Sequence, residues 1–256
     1  MDVVDLDNWW RMRAFLIDLD GTLVRQQEPT DGAAALLERL AGRYVVVSNN
    51  STHTAAGLSR GLRLLGLAVP PERLVLAGEQ TLRFMAEHHP GSRVRLVSSP
   101  ALQQYARTLG CWLVDVAPEF VVLARDERFN YAKLSAIVND LRNGARLVVT
   151  NPDLNHPGAR GGLVPETGAL MRAVADCAGV APERVIGKPE SLLFREGLRR
   201  LNAAAADTLV IGDNPQTDAL GAARLGMRCI LVGEAREAQF ASLTALLESQ
   251  RAQAPE

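Results

Sequence analysis

Short apolar runs alternate along this chain with longer segments in which apolar positions recur every three or four residues. The run AFLIDL at 14–19 reads as a buried strand, and 32–40 as a helix. A second strand is expected at 44–47 and a second helix at 55–65. Near the C-terminus the pattern predicts strands at 208–211 and 229–232, and helices at 217–225 and 235–248. The middle repeats the rhythm, with strands at 94–97, 120–123 and 147–149 and helices at 102–109, 133–141 and 169–177. Strand and helix in alternation predict a parallel sheet covered by helices on both faces. Two such sets in one chain predict two layered domains. The second is expected as an insert at 79–180, leaving 1–78 and 181–256 as the core.

The stretch 151–168 breaks the rhythm. It holds four glycines and three prolines (Pro152, Pro157 and Pro165) and reads as an irregular loop of a length more often functional than idle.

Composition narrows the function. The 256 residues are 47% hydrophobic and 22% charged, which suffices for a packed core and excludes a disordered chain. Lys plus Arg number 28 against 29 Asp plus Glu, a net charge of −1. No basic excess points to nucleic acid, and no apolar run approaches a membrane span. The N-terminal MDVVDLDNWW has three aspartates and no cationic patch, so no secretory leader is expected and the cytoplasm is the expected compartment. Three separated cysteines and four histidines without ligand spacing disfavour a disulfide framework or a zinc site. Any metal would be a hard cation held by carboxylates.

Four polar clusters follow four of the apolar strands. Asp18-Leu19-Asp20-Gly21-Thr22 ends the first. Two carboxylates so close repel each other, by about 4 kcal/mol at 4 Å in an effective dielectric of about 20, which a divalent cation would relieve. Ser48-Asn49-Asn50-Ser51-Thr52 ends the second and leads into a helix whose first turn offers free N–H groups to an anion. Gly187-Lys188-Pro189 puts a lysine on a rigid turn, within the means of a point charge for phosphate. Gly212-Asp213-Asn214, with Asp218, adds carboxylates at a further strand end. Singly, each also reads as an Asx turn, a helix cap or a solvated loop. Together they lie where open α/β sheets bind ligands, outside the carboxyl ends of the strands. Carboxylates for a cation, with lysine and N–H groups for phosphate, are the parts of metal-assisted phosphoryl transfer.

In this order FLIDLDGTLV, VVSNNST, GKP and GDNPQTDALGA resemble the four motifs of the haloacid dehalogenase-like (HAD) hydrolase superfamily. FNYAKL at 129–134, NGARLVVTNPD at 143–153 and ETGAL at 166–170 extend the likeness to subfamily IIA. That group includes the 4-nitrophenylphosphatase-like, phosphoglycolate, pyridoxal-phosphate and ribonucleotide monophosphatases. The resemblance implies a Rossmann-like α/β core with a parallel sheet and an inserted α/β cap of the C2 type. It implies a Mg²⁺-dependent phosphatase of small phosphorylated metabolites, working through an aspartyl-phosphate. Asp18 matches the nucleophile and Asp20 the general acid/base. Asp18, the main-chain carbonyl of Asp20 and Asp213 match the metal ligands, with Asp218 supporting them through water. Ser48, Asn49 and Lys188 match the phosphate-binding set, helped by Gly21 and Thr22. The presence of Asp20 disfavours dehalogenation.

The cap is expected to choose the leaving group through the 150–168 loop, with Asn151, Asp153 and His156 as its polar contributors. Transfer to an acceptor other than water, or mutase chemistry, remains open through the same intermediate. A non-catalytic metabolite-binding protein is the third reading, disfavoured by the intact Asp18, Asp20, Lys188 and Asp213. A homodimer is compatible with the sequence but not demanded by it.

Overall fold

The computed structural model describes residues 8–157 and 162–251. In chain order the first elements are strands β1 (Ala14–Ile17), β2 (Val24–Arg25) and β3 (Glu28–Pro29), helix α1 (Ala33–Arg39), β4 (Tyr44–Ser48), α2 (Ala55–Leu64) and β5 (Leu74–Leu76). The middle holds α3 (Ala77–His88), β6 (Arg93–Val97), α4 (Pro100–Thr108), β7 (Trp112–Leu113), β8 (Phe120–Leu123), α5 (Tyr131–Arg142) and β9 (Arg146–Val149). There follow β10 (Asn155–Pro157), β11 (Leu163–Pro165), α6 (Thr167–Ala178) and β12 (Arg184–Val185). The last are α7 (Ser191–Leu201), β13 (Thr208–Gly212), α8 (Leu220–Arg224), β14 (Arg228–Leu231) and α9 (Leu243–Arg251). Among the described residues no helix is long and apolar enough to cross a membrane.

The chain divides into two compact units. The first comprises Met1–Ser48, Ala56–Val75 and Lys188–Glu256, the second Asn49–Ala55 and Leu76–Gly187. In the first, a five-stranded sheet runs in the order β14-β13-β1-β4-β5. Strand β1 is central because all four of its residues are apolar and none is more than 1% exposed. Such a strand needs cover on both faces, which parallel α/β sheets supply. It pairs parallel with β13 and with β4, Ile17 standing opposite Ile211 on one side and Val46 on the other. Chain order reverses across β1, the arrangement in which open α/β sheets bind ligands outside the carboxyl ends of their strands.

The second unit repeats the architecture with the order β12-β9-β8-β6-β7, each neighbouring pair parallel. One core cluster there joins Val121, Leu123, Leu147 and Val149 of the sheet to Ile137 and Leu141 of α5 and Val174 of α6. Another joins Leu82, Leu102, Ala106 and Ala124 around α3 and α4. Truncating any fully buried leucine of these clusters to alanine is expected to cost about 2–5 kcal/mol.

The structure departs from the sequence reading in places. The 151–168 stretch contains an antiparallel hairpin, β10 with β11, His156 opposite Val164. The helix expected at 235–248 begins only at Leu243. Ser242 Oγ accepts the Ala245 N–H at 3.1 Å, and a bridge between Val232 and Phe240 holds the preceding residues in turns. The helix expected at 217–225 is a five-residue π turn, Pro215–Ala219, followed by α8. Near the N-terminus, Trp9 is buried, edge-on to Phe15 at 6.0 Å.

Candidate active site

The carboxyl edge of the first unit's sheet gathers most of the polar residues singled out in the sequence. Asp18 directly follows β1 and continues its pairing, its N–H donating to Ile211 O at 2.8 Å. The strand thereby carries a carboxylate to a position only 6% exposed. Lys188 Nζ donates to Asp18 Oδ1 and, at 2.7 Å, to Asp218 Oδ1. Thr22 Oγ1 donates to the other Asp18 oxygen at 3.1 Å. Thr22 is itself held by Thr30, whose hydroxyl donates to the Thr22 carbonyl. Asp20, two residues along and exposed, accepts from Ser48 Oγ at 3.1 Å.

Asp213 and Asp218 come from the segment after β13. The π turn has one more residue per turn than an α-helix. It contains Asp218, whose Oδ2 accepts the Asn214 N–H at 3.2 Å while Oδ1 meets Lys188. Two glycines let the backbones approach. Gly21 has φ +96°, and a Cβ there would fall 2.0 Å from Asp213 Oδ2. A Cβ at Gly212 would fall 2.4 Å from Asp218 Cγ.

Among the described residues, Asp18, Asp213 and Asp218 form a group whose ligand atoms all lie within 4.8 Å of one another. Three carboxylates against one ammonium leave the cluster two negative charges in excess, and its donors are all oxygen. That set fits a hard divalent cation. The electrostatics agree. Burial, with the neighbouring Asp218, Asp213 and Asp20, holds the Asp18 carboxyl well above its ordinary range even though Lys188 pulls it down. Burial, then Asp218, pushes Asp213 up to about 6 against the pull of Lys188 and Arg25. Burial works against the Lys188 ammonium, but the two carboxylates overcome it and keep it charged. These carboxylates are charged at a cost, the condition a bound cation relieves.

Asn49, next in the chain to Ser48, opens the second unit. Its Nδ2 donates to Asp153 Oδ2 at 3.0 Å. Asn151 is fully buried, and its amide donates to Asn49 O at 2.9 Å, Ser51 Oγ at 3.1 Å and Thr167 Oγ1 at 3.3 Å. That engagement is the signature of a scaffold node, not of a group held ready for a ligand. His156 lies on β10, its Nδ1 2.7 Å from Glu166 Oε1. Asn50 Oδ1 accepts from the N–H groups of Thr52 and His53, an Asx turn leading toward α2.

Some participants escaped the sequence reading. Arg25, on β2, pairs with Glu234 at 2.8 Å and opposes the rise of the Asp213 carboxyl. Arg125 and Glu166 join His156, with Arg125 Nη1 3.2 Å from Glu166 Oε1. No local pattern marks these three, because their partners are remote in sequence.

Comparison with known proteins gives an independent view. Residues 15–111 match a family model described as haloacid dehalogenase-like hydrolase, and residues 185–248 a second, HAD-hydrolase-like, model. An acid sugar phosphatase of Staphylococcus epidermidis is 33% identical over 224 residues, covering 86% of each chain. A 4-nitrophenylphosphatase of Thermotoga maritima superimposes with a TM-score of 0.86 at 28% identity, over 94% of this chain and 98% of that one. A glycerol phosphate phosphatase of Mycobacterium tuberculosis, solved in complex with magnesium, gives 0.82 at 29% identity, over 92% and 76%.

Proposed function

The chain belongs to the haloacid dehalogenase-like hydrolases and is a phosphoric monoester hydrolase; from that premise we propose that it cleaves small sugar or polyol phosphates through a phosphoaspartate on Asp18. The observation that carries the reading is the setting of Asp18: a strand-end carboxylate between the Lys188 ammonium and the Thr22 hydroxyl, with Asp213 and Asp218 beside it. One oxygen of Asp18 attacks phosphorus, and the P–O bond to the leaving group breaks. Asp20 gives its proton to the departing alkoxide. It then takes a proton from water, which attacks the phosphoaspartate, releases inorganic phosphate and restores the Asp18 carboxylate and the protonated Asp20. Ser48 steadies Asp20 through its hydroxyl. Lys188 offsets the repulsion between a carboxylate and a phosphate dianion, the charge problem that dominates phosphoryl transfer.

Asp18 and Asp213, with the main-chain carbonyl of Asp20, would hold Mg²⁺, and Asp218 stands close enough to join or support them. The ion supplies charge neutralisation and a fixed orientation of the phosphate oxygens. Ser48, Asn49, Gly21 and Thr22 complete the phosphate-binding set. We assign 79–180 as the inserted cap that selects the leaving group, with Asp153 and His156 as its polar contacts and Asn151 as their scaffold. The names of the relatives, a sugar phosphatase and a glycerol phosphate phosphatase, support a small hydroxylated leaving group.

The test is phosphate release from a panel of sugar and polyol phosphates, with magnesium or EDTA. Asp18→Asn is expected to remove turnover and retain the fold by circular dichroism. Full activity in Asp18→Asn would overturn the nucleophile, and full activity in EDTA the metal.

A further inference from the structure

Glu166 directly follows β11 and stands at the N-cap of α6, yet its side chain makes no cap. Short side chains such as Ser, Thr, Asp and Asn normally serve there. The Glu166 carboxylate takes the neighbouring Thr167 N–H and turns to two basic groups of its own unit. Oε1 lies 2.7 Å from His156 Nδ1 and 3.2 Å from Arg125 Nη1. The Glu166 N–H donates to Leu154 O at 2.9 Å, two residues before His156, so the backbone fixes the approach as well. Arg125 is anchored in turn, its N–H donating to Ser51 Oγ at 3.2 Å and its Nη2 pairing with Glu127 at 3.0 Å. The Glu166 side chain is only 15% exposed, while that of His156 is 37% exposed. One face of the arrangement is therefore built in and the imidazole is its open end.

A carboxylate on Nδ1 decides where a neutral imidazole keeps its proton. The proton stays on Nδ1, and Nε2 presents a lone pair. The same partner fixes the ring plane, as carboxylates do for histidines that bind metals.

We propose that Glu166 is a positioning residue for His156: it locks the ring in the Nδ1–H form, so that Nε2 accepts a hydrogen bond from a hydroxyl of the leaving group. Burial raises the Glu166 carboxyl, and Arg125, 3.2 Å away, is the main charge that opposes it. The inference rests on the reading of His156 as a leaving-group contact and makes it specific. Nε2 becomes an acceptor for a polyol or sugar hydroxyl, and an ester without that hydroxyl forfeits the bond.

The ¹⁵N spectrum of the full-length protein reads the tautomer directly, with His156→Gln identifying the signals. The wild type is expected in the Nδ1–H form and Glu166→Ala largely in the Nε2–H form. Glu166→Gln keeps an acceptor and should stay close to wild type. In kinetics, Glu166→Ala should raise KM for glycerol phosphate about tenfold with kcat nearly unchanged, the scale of one lost hydrogen bond. Its preference for glycerol phosphate over propyl phosphate should fall with it. The same change made in His156→Gln should add nothing. Glu183→Gln, which pairs with Arg146 and touches neither Arg125 nor the ring, should leave tautomer and KM alone.

An Nε2–H ring in the wild type overturns the proposal. So does a hydroxyl preference that survives Glu166→Ala, or a Glu166→Ala effect that persists without His156. If no phosphate ester is hydrolysed at all, the proposed function fails, while the spectrum still decides whether Glu166 sets the ring.

Discussion

Lys188 carries a sharp test of how the acidic cluster is held together. Its side chain is 3% exposed and meets Asp218 at 2.7 Å and Asp18 at still shorter range. At about 3 Å in an effective dielectric of about 20, each such pair is worth roughly 5–6 kcal/mol in gross Coulomb terms. Desolvation of the buried ammonium cancels much of this, so the net worth of the pairs is far smaller. Lys188→Met removes the attraction and leaves the carboxylates. Asp18, Asp213 and Asp218 then share a buried site with no cation from the protein. Removing one partner of a buried ion pair costs about 3–5 kcal/mol. Against a typical stability of about 5–15 kcal/mol that is a large fraction. For a chain of this size it lowers the melting temperature by roughly 6–20 °C.

The assay is urea and thermal unfolding of wild type and Lys188→Met at neutral pH, with EDTA or with millimolar magnesium. Magnesium should stabilise the variant more than the wild type, because the variant offers the same carboxylates without the competing ammonium. Adding Asp218→Asn to Lys188→Met should recover part of the loss, so that the two changes are not additive. A loss below about 1 kcal/mol in EDTA, where a broken buried pair should cost several, would refute the view that Lys188 compensates the cluster. Equal magnesium stabilisation of both proteins would refute it as well.

Three further outcomes follow from the geometry. Gly21→Ala sets a Cβ on Asp213 Oδ2 at a left-handed φ; a displacement near 1 Å should cut kcat by about a hundredfold, measured alongside an unfolding curve to separate strain from chemistry. Asn151→Ala uncovers buried acceptors at Asn49 and Thr167 and should cost about 1–3 kcal/mol by chemical denaturation. Glu196 accepts from Arg199 and Arg200 on α7, and those bonds hold its carboxyl down at about 2 against an ordinary 4.5. Its folded value lies below its unfolded one, so its contribution is complete above about 4.5 and lost as pH falls toward about 2. With solvent screening it should be worth about 1 kcal/mol, and Glu196→Gln should lower stability at neutral pH and flatten the acid limb of the unfolding profile.

What the sequence revealed and what it concealed have the same physical origin. The central strands were legible because they are continuous apolar runs: Phe120–Leu123 spans the four residues its hydrophobicity predicts. Helix α3 was not, since Glu79, Gln80 and Thr81 are buried on it and spoil its amphipathic period. The Glu79 carboxylate accepts the Ala55 N–H at 2.8 Å, a tertiary partner that local pattern does not contain. Helix α7 was hidden by Gly197, a nominal helix breaker. Here it lets the helix lie against β1, where a Cβ would fall 2.7 Å from Leu16 Cδ2.

The same division runs through the candidate site. Asp18, Asp20, Ser48 and Asp213 stand at or just after the ends of β1, β4 and β13, so their place followed from reading the strands and from the carboxyl-edge rule, whereas Lys188 follows β12 of the other sheet and its place beside Asp18 did not. The position of Asp218 depends on one extra residue in the turn after β13, which no helical period announces. That π turn brings its carboxylate onto Lys188, and a plain α-helical start would rotate it away. Glu166, Arg125 and His156 lie still further from local rules. They meet only because β10 and β11 pair and return the chain to the start of α6. Residues whose function depends on the end of a strand are thus readable from one segment. Residues whose function depends on pairing two distant segments become visible only when the fold is known: Arg25 beside Asp213 in the first unit, and Glu166, Arg125 and His156 in the part that we assign to substrate selection.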